Sequence, residues 1–481
     1  MRSAAKYPCP VRKGEKMKEL FPIRGFNPCE SLLRHTPEQL RTFIRRMKRL
    51  NFNSIIIHYD YGWKHYRELI LDECAKAGVE ITLMTFGPRT FYRFTDWKKD
   101  FLARREDGTF FTEKLECETF PCRFAPGALD AFEAGAKAWL REIPPQIRHV
   151  HMRAADGADF CMCPRCRQLE RQDRWNPFAE RFIKAVRETR PDLKAETDVY
   201  YLRYDLPENT VPFAAMDRIM FDTFPRTPTY PLGSAADTAS RGLMREVYGS
   251  RRDPAEVTLN TAMLDKIKMW NRAFPGKVYI HENVMKQGFA GNFQYGTRSY
   301  LEDLRTLREL GIQGIMFEAF ELGYGNYAEL FELLARAMNG EEFEYPPCEL
   351  DRIVRELNCS WFCDRPDFPL ERYFSDPVTL KSQQFYQKRL TGMSLQYFRD
   401  YVQFALENSD RLDALYIGHH QARMHLVYHK VKFRNLSPEA EKLLNSRKLW
   451  DFMEDIPESR DPRQFCRGLL EEFLRKAERE N

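Results

Sequence analysis

No stretch of the chain is apolar for the roughly 20 residues that a bilayer crossing takes. The first twenty residues, MRSAAKYPCPVRKGEKMKEL, lack even the shorter apolar core of a secretory leader, because Pro and Lys interrupt it. A soluble, cytoplasmic protein without a membrane partner is therefore expected, with the proviso that a leader removed beforehand would leave the same sequence. Nucleotide signatures are missing as well. Neither G-x-G-x-x-G nor G-x-x-x-x-G-K-[ST] follows an apolar run, so no organic cofactor is expected. Excess charge is scarce: 75 Lys and Arg against 70 Asp and Glu leave only +5 over 481 residues, which excludes the concentrated basic field that nucleic acid requires. Repeats and low-complexity tracts are also absent. The 12 cysteines have no regular spacing, which argues against a disulfide framework and for reduced thiols with one metal-binding cluster.

What the sequence does have is an alternation of short β-rich apolar runs with longer amphipathic segments between residues 20 and 338, the pattern of parallel strands joined by helices. Eight strands are predicted: 20–27 (LFPIRGFN), 54–62 (SIIIHYDYG), 80–87 (EITLMTFG), 148–157 (RHVHMRAADG), 193–201 (LKAETDVYY), 218–224 (RIMFDTF), 277–284 (KVYIHENV) and 313–320 (QGIMFEAF). The segments 36–50, with Pro37 in the first turn, and 300–310, closed by Gly311, carry helix boundary signals. Eight such units predict an α/β fold, a (β/α)8 TIM barrel over 20–340. It follows an N-terminal extension, 1–19, and precedes a C-terminal α-helical domain, 341–481, set off by the linker-like EEFEYPP and predicted to have helices at 384–407, 409–427 and 438–453. Long connections at 85–125 and 223–253 follow strand ends, where barrel enzymes build their sites.

Polar residues concentrate at those ends. Strand one carries Arg24; strand two, His58 and Asp60; strand four, His151, Arg153 and Asp156. Strand five carries Glu196 and Asp198, strand six Asp222, strand seven His281, Glu282 and Asn283, and strand eight Glu318, with Glu321 close behind. A salt bridge or a helix cap is the competing explanation for any one carboxylate. Carboxylates converging from several separate strands are what a site requires. Cleaving a glycosidic bond takes an acid for the leaving oxygen and a second group for the oxocarbenium-like centre, both usually carboxyls, so a glycoside hydrolase acting on carbohydrate is the reading. Aromatics at 14% suit stacking on sugar faces, although core packing is their larger use.

The sharpest local motif is Cys161, Cys163 and Cys166 in DGADFCMCPRC, directly after strand four. Thiolates at C-x-C-x-x-C spacing can face one tetrahedral ion, with Cys117 or Cys122 from the preceding loop as fourth ligand. A structural zinc is expected there, with free thiols as the other possibility.

Residues 21–62, from FPIRGFN to HYDYG, resemble the opening of the family 20 β-N-acetylhexosaminidases and their relatives, in which R-G ends strand one and L-N precedes strand two; here these are Arg24–Gly25 and Leu50–Asn51. The resemblance implies that Arg24 grips sugar hydroxyls. ADGADFCMCPRC (155–166) resembles the domain-of-unknown-function family 4838, a group related to family 20 that includes the family 163 endo-β-N-acetylglucosaminidases, and whose last strand tends to end in a glutamate, here Glu318 in GIQGIMFE. A similar cysteine arrangement holds zinc in family 42 β-galactosidases, one ligand coming from an earlier loop. The chain departs from the pattern at Ala155, where the group has Asn, and in having only Asp156, with Asp159 nearby, in place of an adjacent acidic pair.

These readings combine into a retaining, N-acetylhexosaminidase-like glycosidase in which Asp156, Glu282 and Glu318 divide the acid and stabilising roles. Arg24, His58 and Asp60 would hold sugar hydroxyls, His151 and Arg153 would border the reacting centre, and Asp222, His281 and Asn283 would complete the substrate contacts. The alternatives are a non-catalytic carbohydrate-binding barrel and a glycosidase for uronic or sulfated sugars, the latter suggested by Arg89, Arg93, Arg104 and Arg105. Oligomeric state is not legible.

Overall fold

The structure, a computed structural model, describes residues 21–29, 36–117, 119–155, 160–200, 204–223, 231–234, 260–282, 297–318 and 331–341, and within the last third 369, 371, 377–388, 395–408, 437–445, 453 and 456–479. Its strands are β1 Ile23–Asn27, β2 Ser54–His58, β3 Glu80–Phe86, β4 His149–Arg153, β5 Lys194–Val199, β6 Arg218–Asp222, β7 Val278–Glu282 and β8 Gly314–Glu318. Each pairs in parallel with the next, and β8 returns to β1 in the register Ile23↔Gly314 through Asn27↔Glu318, closing the barrel. The expected (β/α)8 architecture is thus observed. β2 and β4 end earlier than the runs predicted, since ladder pairing stops at His58 and at Arg153 although Tyr59 and Tyr61, and Ala154 and Ala155, continue the run.

Side chains alternate across each strand. Phe26, Ile57, Val150, Ile280 and Phe317 point outward and join the large apolar layer between barrel and helices. Ile23, Ile56, Met84, Met220, Tyr279 and Met316 form a separate cluster inside the barrel. Two inner positions are glycines for a steric reason. A Cβ on Gly25 would lie 2.0 Å from the Ser54 carbonyl oxygen, and one on Gly314 would lie 1.9 Å from that of Ile23.

The helices follow from local signals. α1 (Pro37–Arg49) starts at a capping box between Thr36 and Gln39 and buries Leu40, Ile44 and Met47 on one stripe. α2 (Trp63–Ala77) ends at Gly78, in the left-handed conformation at φ 70°. Then come α3 (Gly87–Arg93), α4 (Ala128–Arg141), α5 (Arg171–Thr189), α6 (Val211–Ala215), α7 (Asn260–Ala273) and α8 (Thr297–Glu309), with a helical stretch at 331–338 after β8. Pro177 lies inside α5 and withholds the N–H that would bond the Asp173 carbonyl. Arg123 Nη1 donates to that carbonyl at 2.5 Å instead, tying the β3–β4 connection to α5.

In the last third the expected helix 384–407 is two helices, α9 (Pro377–Lys388) and α10 (Leu395–Glu407); α11 (Pro438–Asn445) and α12 (Pro462–Arg479) follow. The predicted segment 409–427 lies outside the described residues, as does most of the predicted linker. Buried residues of α10 and α12 belong to the same apolar cluster as the barrel's outer layer, and Arg463 on α12 donates to Gln39 on α1 at 2.8 Å. Among the described residues, no helix is long and apolar enough to cross a membrane.

Candidate active site

A packed barrel fills its interior with layers of mostly branched apolar side chains. Here the layer at the carboxyl ends is polar. Asn27, His58, Arg153, Asp198, Asp222, His281 and Glu318 occupy inward positions, none more than 1% exposed. Arg153 organises one side: its Nε donates to Asp198 at 2.8 Å and its Nη2 to Asp222 at 2.9 Å, while the Tyr200 ring lies 4.2 Å from the guanidinium carbon. One planar fork serves two carboxylates, a task for which the ammonium of Lys is the wrong shape. His281 organises the other. Its Nδ1 lies 2.8 Å from Asp222 Oδ2, and its Nε2 lies 2.9 Å from Asn27 Nδ2 and 4.0 Å from Glu318 Oε2. Buried charges are tolerated only when paired and hydrogen-bonded, and Arg153 provides such pairs for Asp198 and Asp222.

A second polar layer lies beneath. His149 is held between Glu196, 2.6 Å from Nδ1, and Glu80, 2.8 Å from Nε2. Glu196 also accepts from Tyr279 Oη at 2.9 Å and Arg218 at 3.4 Å. Burial alone would lower the His149 pKa, yet the bonds to Glu196 and Glu80 outweigh it and hold it above the ordinary value. For Glu196 burial works upward and is again outweighed, by His149 and His151, so its carboxyl stays well below the usual carboxylate range.

The structure separates the predicted residues into groups. Arg153, Asp222, His281 and Glu318 come together in the upper layer, with His58 on the same layer stacked on Tyr61, ring centroids 5.1 Å apart. His151 does not border the carboxyl-end layer; it sits one level lower, Nδ1 3.7 Å from Glu196. Asp60 is at the correct end, but its carboxylate accepts from Thr85, Thr90 and the Phe86 N–H and lies 3.8 Å from Arg89 Nε, so it anchors the start of α3. Arg24 requires a correction. It points outward, at the amino-terminal end, and donates to the carbonyls of Asn51 at 2.9 Å and Phe21 at 2.5 Å, since Ile23 and Gly25 take the inward positions on β1. Glu282 is a second correction: alternation along β7 sets it with the outward Val278 and Ile280, away from His281 and Glu318. Asp156 and Asn283 lie outside the described residues. Sequence reading missed Asn27 and Tyr279; period-two counting from Ile23 and from His281 would have marked both as inward-facing.

Beside this face, the sulfurs of Cys122, Cys161, Cys163 and Cys166 all lie within 4.8 Å of one another. Cys122 Sγ is 3.8 Å from the sulfurs of both Cys163 and Cys166. That is nearly twice a disulfide bond of about 2.05 Å, and it matches the edge, about 3.8 Å, of a tetrahedron of sulfurs each about 2.3 Å from a central zinc. Backbone N–H groups of Arg104 and Cys166 point at Cys161 and Cys163 at 3.5 and 3.4 Å. Four thiols this close cannot all ionise by themselves. The bond with Cys161 pushes Cys122 up to about 12, and the bond with Cys122 pulls Cys161 down. The donor set therefore fits a zinc ion. Cys117 is buried but is not part of the group.

No protein-family profile and no curated protein matches the chain. Among solved structures, it is similar to a β-N-acetylhexosaminidase (12% identity over 72% of this chain and 77% of that one, TM-score 0.40). It is also similar to a β-galactosidase from the psychrophilic Marinomonas ef1 (10%, 69% and 60%, TM-score 0.41) and to a D-psicose 3-epimerase from Clostridium cellulolyticum H10 (10%, 63% and 91%, TM-score 0.32). The chain thus spans three-fifths of the galactosidase's length. These likenesses go no further than the (β/α)8 barrel that the strand pairing already establishes.

Proposed function

We propose that the protein is a glycoside hydrolase acting at the carboxyl-end layer of its barrel. One observation carries the reading: four neighbouring strands, β5 to β8, place Asp198, Asp222, His281 and Glu318 in a layer closed by Arg153 and Asn27, where a purely structural barrel has apolar side chains. Asp198 and Asp222 are bound by Arg153; Glu318, which ends β8 in the same layer, is the candidate proton donor to the leaving oxygen, working with Asp156, which follows β4 in the sequence, as the stabilising carboxylate. The finer reading, a retaining N-acetylhexosaminidase-like enzyme, rests on the motif resemblance around residues 155–166 and 311–318. A structural zinc on Cys122, Cys161, Cys163 and Cys166 belongs to the same proposal. With four sulfur ligands it has no open position, so its work is to pin the loop that carries Asp156. The preference for uronic or sulfated sugars draws no support from Arg89 or Arg104, since Arg89 lies against Asp60 and Arg104 donates to Asp100 at 2.7 Å.

The test is turnover of a panel of aryl glycosides. On a substrate that the parent protein cleaves, Glu318→Gln is expected to lower kcat by about 10²–10⁴, the usual contribution of a general acid. If the parent protein cleaves none, yet sugars bind equally well to it and to Glu318→Gln, the barrel is a binding protein and the proposal fails.

A further inference from the structure

The upper layer fixes His281 in a single tautomer, and the two ends of the ring establish this independently. The Cys29 backbone N–H can only donate, and it lies 3.0 Å from Asn27 Oδ1. The amide's oxygen is therefore on that side, and its NH2 group faces His281 Nε2 at 2.9 Å. An NH2 group offers no lone pair, so Nε2 must supply one. At the other end, Nδ1 lies 2.8 Å from Asp222 Oδ2, an oxygen that already accepts from Arg153 at 2.9 Å. A carboxylate oxygen in a guanidinium bond accepts, so the ring proton is on Nδ1.

We propose that Asn27, Asp222 and Arg153 lock His281 in the Nδ1–H tautomer, and that His281 so held is a positioning residue for Glu318, whose Oε2 lies 4.0 Å from Nε2. The chemistry depends on which nitrogen carries the proton. With its one lone pair engaged by the Asn27 amide, Nε2 offers Glu318 no proton and leaves its carboxyl to the leaving oxygen, whereas an N–H there would attract a carboxylate and hold it back. The kinetic half of the inference rests on the glycosidase reading, and the tautomer half does not.

The full chain with 15N-labelled histidine rings separates the two. Two-bond 1H–15N correlations, with the His281 signals identified by their loss in His281→Gln, are expected to show a protonated Nδ1 and a bare Nε2. Asn27→Asp, nearly isosteric, puts an acceptor opposite Nε2 and is expected to protonate it, lowering kcat about 10²–10⁴-fold with little change in KM. Asp222→Asn keeps its amide oxygen where Arg153 and the Nδ1–H donate and is expected to retain the Nδ1–H ring, so should Asn27→Asp fail to fold, a shift of the proton to Nε2 in Asp222→Asn overturns the lock. An Nε2–H ring in the parent protein overturns the lock. A tautomer that changes with no change in kcat overturns the positioning role. Absence of any glycoside turnover removes the kinetic half together with the proposed function, while the ring nitrogens still decide the lock.

Discussion

Replacing His149 with Leu tests the lower polar layer, because the substitution keeps most of the volume and removes both nitrogens. Glu196, fully buried, loses its shortest bond, and Glu80 loses its inner partner. Breaking a buried charged pair from one side costs about 3–5 kcal/mol; Tyr279 and Arg218 remain on Glu196, so the lower end, about 3 kcal/mol, is expected. For a cooperative unit of about 300 residues, with an unfolding entropy of about 2 cal/mol/K per residue, that is a fall in Tm of about 5 °C. The pH dependence has two limbs. His149 is raised in the folded state, so its contribution is complete below the ordinary value of 6.5 and is lost as pH climbs through the raised value. Glu196 is lowered, so its contribution is complete above the ordinary 4.5 and is lost as pH falls through the depressed value. Urea unfolding followed by the fluorescence of the buried Trp139, Trp175 and Trp270 should therefore show a stability decline on the alkaline side that is absent in His149→Leu. A loss below about 1 kcal/mol at pH 6, or an alkaline limb equally steep in both proteins, would refute the reasoning.

Three further outcomes follow from the geometry. Elemental analysis should find about one zinc per chain in the parent protein and in Cys117→Ser but none in Cys122→Ser; equal metal content in the two variants would exclude the proposed ligand set. Gly25→Ala should cost more than about 3 kcal/mol or yield no folded barrel, because its Cβ meets a neighbouring strand's carbonyl. Gly276→Ala, at φ 73° in open space, should cost only about 1 kcal/mol, and similar melting temperatures for the two would count against the close approach. Asp60→Asn should lower stability more than sugar affinity, since its oxygens hold Thr85, Thr90 and the Phe86 N–H; a selective loss of sugar binding would return Asp60 to the substrate contacts.

The barrel was legible because its signals are local. Thr36, Pro37 and Gln39 start α1 by themselves, and Gly78 and Gly311 stop their helices in the left-handed conformation without help from the rest of the fold. The site was only partly legible, because proximity to a strand's carboxyl end says nothing about which side of the barrel wall a residue faces. Period two decides that, and it separates His281 from Glu282 and Arg24 from Gly25, neighbours that composition treats alike. The extra length predicted for β4 had the same origin: apolar character continues to Ala155, although strand pairing ends at Arg153. The choice between Cys117 and Cys122 depended on the path of a long loop, which spacing does not encode.

Asn27 is the last residue of the first strand, and its partner His281 belongs to the seventh, with Glu318 between them on the eighth. The constellation therefore straddles the seam where the two ends of the sheet meet, some 290 positions apart in the chain. No nascent or truncated barrel that lacks its final strand can assemble it. Chemistry at this layer would switch on only when the ring closes, so that activity itself reports the completion of folding.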